Sequence, residues 1–343
     1  MTKQTKTMLR RQSGMTLVEL MVALAIGSFL VIGAVQIYNQ SRQSFIVNES
    51  IARVQETAQF AMDTIEADLR MASNWGRNSR GLAVEGRSIV GTANPNGLTA
   101  PTPDCGADWA FDLARPIDGS DNSYGLSCAA TGTADGNSDV ITVRRTSVLP
   151  VAVSAADAGR LQVQSTRIQG EIFVSNGTTG GIPSAFLPIT IDAVTGAPSS
   201  TTHNLMVNSY YVSTTSDLIP GVPTLRRKTL TMAGGVPVVN DQEVAPGVEN
   251  IQLQLGVDID EDNTVDRYVN PGSDIYNPAA AGYIPGARVI TARVWIVVRS
   301  VTEEFGIVDD RVYQVGNFAM GAKTDGFRRL QVSKTILLRN ARS

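Results

Sequence analysis

The segment that most restricts this chain is residues 15–35, MTLVELMVALAIGSFLVIGAV. It is a run of 21 residues with a single charge, Glu19, and no proline. As a helix it spans about 31 Å at 1.5 Å per residue, close to one hydrocarbon core. Ahead of it lie Lys3, Lys6, Arg10 and Arg11, with no Asp or Glu before Glu19. Basic residues before an apolar span predict a cytoplasmic N-terminus. Three arrangements have this outline: a secretory signal removed after the run, a plain membrane anchor, and a signal cut ahead of the run so that the run is kept. The run is long for the first, and no small-x-small cleavage site follows it. Glu19 argues against the second, because a charged carboxylate deep in lipid costs several kcal/mol.

The third arrangement fits the residues. Arg10-Arg11-Gln12-Ser13-Gly14 followed by Met15-Thr16-Leu17-Val18-Glu19 resembles the type IV prepilin (class III) signal, with its basic leader, Gly at −1, apolar residue at +1 and Glu at +5. The resemblance implies that residues 1–14 are a leader, that a prepilin peptidase cuts after Gly14, and that Met15 is then N-methylated. Cutting there frees an α-amine at Met15, with an ordinary pKa of about 7.7–8.0. In a helix starting at residue 15, Met15 and Glu19 are i and i+4 on one face. Amine and carboxylate can then neutralise each other within a chain or between neighbours, and the resemblance implies the intersubunit version during filament assembly. The plainer alternative is a Glu19 that snorkels at the membrane edge. The whole chain has a net charge of −3; without residues 1–14, which hold four basic side chains and no acidic one, it is −7.

Beyond residue 35 the polarity rises but the helical period persists. Ile51, Val54, Ala58, Ala61/Met62, Ile65 and Leu69 recur at spacings of three and four, with Arg53, Glu56, Asp63, Glu66, Asp68 and Arg70 between them. This is an amphipathic stripe that core packing explains. The pattern predicts one helix in two parts, 15–35 in membrane or filament core and 36–75 amphipathic, with Gly76 as its C-cap. Residues 15–72 as a helix measure roughly 87 Å. Many major pilins carry a helix-breaking proline at the twenty-second residue of the mature chain, where this sequence has Gln36.

Residues 76–138 read as loop, rich in Gly, Asn, Asp, Ser, Thr and Pro, and they contain both cysteines, Cys105 and Cys128. A head outside the inner membrane lies in an oxidising compartment, so the two are expected to pair. Closing that loop is worth roughly 3.5 kcal/mol in the chain-entropy model. From 139 to 343 short strands alternate with turns: 139–144, 159–164, 171–175, 187–192, 205–213, 224–232, 248–256, 288–300, 311–315 and 329–339. Many alternate apolar and polar residues, as half-buried antiparallel strands do. The expected fold class is α+β, a long N-terminal α-helix packed on a large antiparallel β head whose size leaves room for two β sheets or an inserted lobe. That is the architecture of type IV pilins.

The likeness extends past the signal. Gln55-Glu56-Thr57-Ala58-Gln59-Phe60-Ala61, Asp68-Leu69-Arg70-Met71-Ala72, Asp139–Arg144, Val244–Leu253, Gly256–Asp260 and Arg328–Asn340 resemble PilW-type minor pilins. Membership implies a low-abundance, non-enzymatic subunit that primes type IV pilus assembly or sits at the tip, and on which twitching motility, attachment and DNA uptake depend indirectly. The implied partners are other minor pilins, the major pilin, the prepilin peptidase, the inner-membrane assembly platform and, through the N-terminal helix, the membrane. The implied location is a single pass in the inner membrane with the head periplasmic, then the pilus or cell surface. Two alternatives stay open: a minor pseudopilin of type II secretion, and a tip adhesin that binds a surface ligand through residues 77–138.

Little else in the sequence suggests chemistry. A single histidine and two cysteines exclude His-clustered and four-cysteine metal sites. His203 is expected in a loop, and no Gly-x-Ser-x-Gly accompanies it. No Walker motif is present, so the assembly ATPase is another protein. Arg226-Arg227-Lys228 reads as a solvated strand edge, and no direct nucleic-acid contact is expected. Glu303-Glu304 and Asp309-Asp310 read as solvated turn carboxylates. No cofactor is implied, with one exception. Asp258-Ile-Asp260-Glu-Asp262-Asn-Thr-Val-Asp266 resembles a calcium loop, with Asp258, Asp260, Asp262 and Asp266 at positions 1, 3, 5 and 9. It has Asn263 in place of the usual Gly at position 6 and Val269 in place of Glu at position 12. The alternative is an acidic β-turn whose aspartates are solvated or cap backbone N–H groups.

Overall fold

The computed structural model describes residues 14–86, 98–106, 109–152, 154–178, 200–304 and 306–342. The expected strand at 187–192 and most of the leader lie outside them. The chain divides into two compact units, Met1–Ile51 and Ala52–Ser343. Helix α1, Leu17–Met71, contributes to both.

Sequence dictates where α1 starts and stops. Thr16 is the N-cap, and Thr16-Leu-Val-Glu19 closes a capping box. The Glu19 backbone N–H donates to the Thr16 hydroxyl at 3.3 Å, while the Thr16 N–H donates to the Glu19 carboxylate at 3.0 Å. With no proline to interrupt it, the helix runs through Gln36 to Met71. It ends within a residue of the expected 72. The left-handed residue directly after it is Ser73, with φ 65°, and the expected cap Gly76, with φ 82°, lies further along the turn. The Ser73 hydroxyl donates to the carbonyl of Ser79 at 2.7 Å, which holds a non-glycine residue there. Gly76 is needed for another reason: a Cβ at that position would lie 2.6 Å from Ser165 Oγ and 2.7 Å from His203 Cδ2.

In the first unit the apolar side chains of α1 point outward. Leu17, Phe29 and Ile37 are each at least 70% exposed. By length and composition this helix is long and apolar enough to cross a membrane.

The second unit is a β-rich head that includes the last turns of α1. Its strands are β1 Val84–Glu85, β2 Ile117–Ser120, β3 Val140–Thr146, β4 Leu161–Ser165, β5 Gly170–Val174, β6 Thr201–Ser213 and β7 Thr224–Ala233. They continue with β8 Val236–Pro246, β9 Val248–Asp258, β10 Arg267–Val269, β11 Arg288–Arg299, β12 Tyr313–Val315, β13 Phe318–Met320 and β14 Arg329–Leu337. One sheet has eight strands, ordered β1-β5-β4-β6-β3-β2, with β7 and β8 branching from β6. A second has four, ordered β10-β9-β11-β14, and β12-β13 is a separate hairpin. Pairing is antiparallel except between β1 and β5.

Both large sheets and the helix meet in one core. Val54, Ala58, Ala61, Met62, Ile65 and Leu69, the stripe expected from the 3.6-residue period, pack with Ile141, Tyr210 and Leu225 of the larger sheet. Ile251, Leu253, Leu255 and Ile296 of the smaller sheet join them. The polar alternates of β9 are also covered. Asn250 and Gln252 donate to the carbonyl of Asn137 at 2.8 and 3.0 Å. Asp139 accepts the Leu253 N–H at 2.7 Å. Burial of the Asp139 carboxyl pushes it up to about 6, against the pull of the N–H groups of Asn122 and Leu253.

Candidate functional sites

The N-terminal site is built from Gly14, Met15, Thr16 and Glu19, all exposed. The structure changes one element of the sequence reading. Because Thr16 is the N-cap, Met15 precedes the helix and does not share a helical face with Glu19. The Glu19 carboxylate instead accepts both the N–H and the hydroxyl of Thr16, each at 3.0 Å. The Thr-x-x-Glu spacing carried this signal in the sequence. The arrangement leaves a carboxylate at the first turn of a long helix, where the macrodipole also favours negative charge.

The second site anchors the end of α1 to the head, and its residues belong to what the sequence presents only as the polar side of the stripe. Asp68 is buried and accepts from Arg145 Nε and Nη2 at 3.0 and 2.7 Å, Asn208 Nδ2 at 2.6 Å and Tyr210 Oη at 2.5 Å. Glu66, also buried, is paired with Lys334 of β14 and with Arg70. The hydrogen bond from Lys334 leads in holding the Glu66 carboxyl below the usual range.

Three further groups differ from the sequence expectation in the same way. Arg226 and Lys228 are not a solvated edge. β7 lies between β6 and β8, and both side chains are buried on Asp241 of β8, at 2.9 and 2.8 Å. Tyr211 and Thr131 donate to the same carboxylate. Glu304 and Asp309 are not solvated turn carboxylates either, since they pair with Arg328 and Arg329. Arg329, 1% exposed at its side chain, also binds Glu249 and Asp325 at 2.6 Å each. His203 is not in a loop but in β6, buried. Its Nδ1 donates to the Ser147 carbonyl at 2.8 Å, so in the neutral ring Nε2 accepts from Thr201 Oγ1 at 3.0 Å. Each of these side chains is buried in an ion pair or strand ladder with a partner on another strand or turn, which local composition does not reveal.

Cys105 and Cys128 form a disulfide, with S–S 1.99 Å. The bridge is buried with Trp109, Phe111 and Leu113, so this part of the loop region packs on the head. Trp109 Nε1 donates to Ser209 Oγ of β6 at 2.7 Å, and Arg144 of β3 donates to the Trp109 carbonyl at 2.8 Å. Residues 87–97, 107 and 108 of this segment lie outside the described residues.

In the acidic loop after β9, one carboxylate oxygen from each of Asp258, Asp260 and Asp262 lies within 4.8 Å of the others. Asp266 is not brought into that group. Its Oδ2 accepts the Ile259 N–H at 2.7 Å and closes the base of the loop. Asn263 adopts φ 68°, the left-handed conformation expected of position 6. Glu261 does so as well, with φ 65°.

Comparison with known proteins bears on both ends of the chain. Residues 209–340 match the family model described as type IV pilus-assembly protein W. Residues 9–35 match the prokaryotic N-terminal methylation motif. The resemblance to PilW and to the methylation signal read from the sequence is therefore found in both segments. One solved structure is a type IV-like pilin, TTHA1219 from Thermus thermophilus. It is 13% identical over 66% of this chain and 84% of its own, with a TM-score of 0.28, too low to carry an argument. No curated protein matches.

Proposed function

We propose that this pilus-associated, pilin-like chain is a minor pilin of a type IV pilus, needed to prime or complete assembly and present at low abundance or at the tip. The observation that carries the reading is the match of residues 209–340 to a pilus-assembly family on the same chain as a methylation motif at 9–35. The exposed apolar surface of residues 17–37 supports it, because such a surface needs lipid or other subunits around it. In this reading the chain first sits in the inner membrane with its head periplasmic. The prepilin peptidase cuts between Gly14 and Met15 and Met15 is methylated. Helix α1 then moves from lipid into a bundle of neighbouring pilin helices, handled by the assembly platform. Glu19 is the one charge in the apolar run. Its position at the first turn suits neutralisation by an amine, with Thr16 holding the carboxylate until a partner replaces that contact. The role is structural, and the buried ion pairs described above serve to hold the head together.

Deletion of the gene tests this. The strain is expected to lose surface pili while type II secretion continues, and the wild-type gene restores them. Glu19→Leu is expected to insert and be processed but to leave few or no pili. Full piliation of the deletion strain would refute the reading, and normal incorporation of Glu19→Leu would remove the role of Glu19.

A further inference from the structure

Asp258 presents a feature that a solvated acidic turn does not account for. Its side chain is 0% exposed. Oδ2 is fully engaged, accepting from Arg288 Nε at 3.1 Å, Arg288 Nη2 at 3.0 Å and the Asn263 N–H at 3.0 Å. Oδ1 is buried and accepts no hydrogen bond among the described residues. A buried anionic oxygen without a donor is costly, and a native structure seldom keeps one without a use. The side chains beside it are Asp260 and Asp262, both exposed, each offering an oxygen within 4.8 Å of one on Asp258. Ordinary turn chemistry engages one oxygen on each of them. Asp260 Oδ1 accepts the Asp262 N–H at 3.2 Å, and Asp262 Oδ1 accepts the N–H and hydroxyl of Thr264 at 2.6 Å. That chemistry does not reach Asp258 Oδ1.

We propose that the loop between β9 and β10 binds a calcium ion, with Asp258 Oδ1, Asp260 and Asp262 as its carboxylate ligands. Asp266 is a closing residue and not a ligand. The assignment follows from the donor set. One buried carboxylate at the end of β9 and two exposed ones on the loop supply hard oxygens and leave room for waters and loop carbonyls, which suits an ion that takes six to eight oxygens with loose geometry. Magnesium demands near-octahedral coordination and gives up water reluctantly, so it gains less here. Arg288 sets the strength. Its guanidinium already neutralises part of the Asp258 charge and braces the loop through the carbonyl of Glu261 and Oδ1 of Asn263, both at 3.2 Å. The site is thus preformed without the ion, but its field is reduced. Binding belongs in the weak range of extracellular modules, on the order of 10⁻⁴–10⁻³ M. The inference is independent of the pilus assignment, since it concerns only this loop.

The test uses the full chain purified in detergent and stripped with chelator, titrated calorimetrically with CaCl₂ and with MgCl₂, with melting followed in parallel. One saturable calcium site is expected, with a rise in Tm of about 2–4 °C at roughly 10 mM Ca²⁺ and a smaller one with Mg²⁺. The double variant Asp260→Asn, Asp262→Asn changes only exposed side chains. It is expected to melt as the wild type does in chelator and to lose both the calcium heat and the shift. No calcium-dependent shift in the wild type, an equal shift with magnesium, or an undiminished shift in the double variant would each overturn the proposal.

Discussion

The two ends of helix α1 obey different rules. From Leu17 to about Ile46 its large apolar side chains are exposed, while between Val54 and Leu69 those of the stripe, Val54, Met62, Ile65 and Leu69, are buried in the head and only Phe60 of the large apolar residues faces outward. The difference extends to charge. In the first stretch one carboxylate, Glu19, is held among the described residues by its neighbour Thr16. In the second, Asp68 and Glu66 are tied to side chains of β3, β6 and β14. One continuous helix therefore carries two kinds of information. Its second part is spent within the chain, fixing the head. Its first part leaves its large apolar side chains uncovered within the chain.

The contrast is open to direct attack. The largest effect is expected from Asp68→Ala, which strands the Arg145 guanidinium, Tyr210 hydroxyl and Asn208 amide in a buried place. A loss of about 3–5 kcal/mol is expected in urea unfolding of the full chain in detergent. A loss under 1 kcal/mol would mean that the polar anchor is dispensable. Next, Ile65→Ala removes a side chain that is 0% exposed and is expected to cost about 2–5 kcal/mol by the same measurement.

Asp139 sharpens the picture of how the head buries charge, because it faces backbone N–H groups in place of a cation. Its folded pKa lies near 6, above its ordinary 3.8. Between those values the folded chain keeps the proton that the unfolded chain releases. Its contribution is thus fully present below about pH 4 and is lost as pH rises through 6. Asp139→Asn stays neutral, so its stability relative to wild type is expected to improve by about 2–3 kcal/mol between pH 4 and 7. A difference that does not vary with pH would contradict the raised value. The smallest effect is expected from Leu30→Ala in the exposed stretch. Head stability should stay within about 0.5 kcal/mol of wild type, and a larger change would erase the distinction between the two parts of the helix.

Much of this was legible in the sequence because it is local. The stripe of α1 follows the 3.6-residue period, and β9, β11 and β14 follow apolar alternation or long β-branched runs. β8 was missed because Pro237, Asn240, Asp241 and Pro246 blur any alternation. The signal that would have found it is Gly234-Gly235, both at positive φ, the two-residue turn that joins it to β7. The helix start at Thr16 was equally available as a capping box. The buried charges were not. Asp68 is paired with residues 77 and 140 positions away, and nothing near it in sequence distinguishes it from the exposed Asp63. For the acidic loop the ligand types were visible, but only the fold separates Asp266, which closes the loop, from the three carboxylates that converge.

The central claim is that the exposed apolar part of α1 is retained and carries the mature N-terminus. Intact-mass and N-terminal peptide analysis of the protein from the cell envelope tests it most directly. A chain beginning at N-methylated Met15 is expected. A chain beginning near residue 36, or one still carrying Met1, would contradict it.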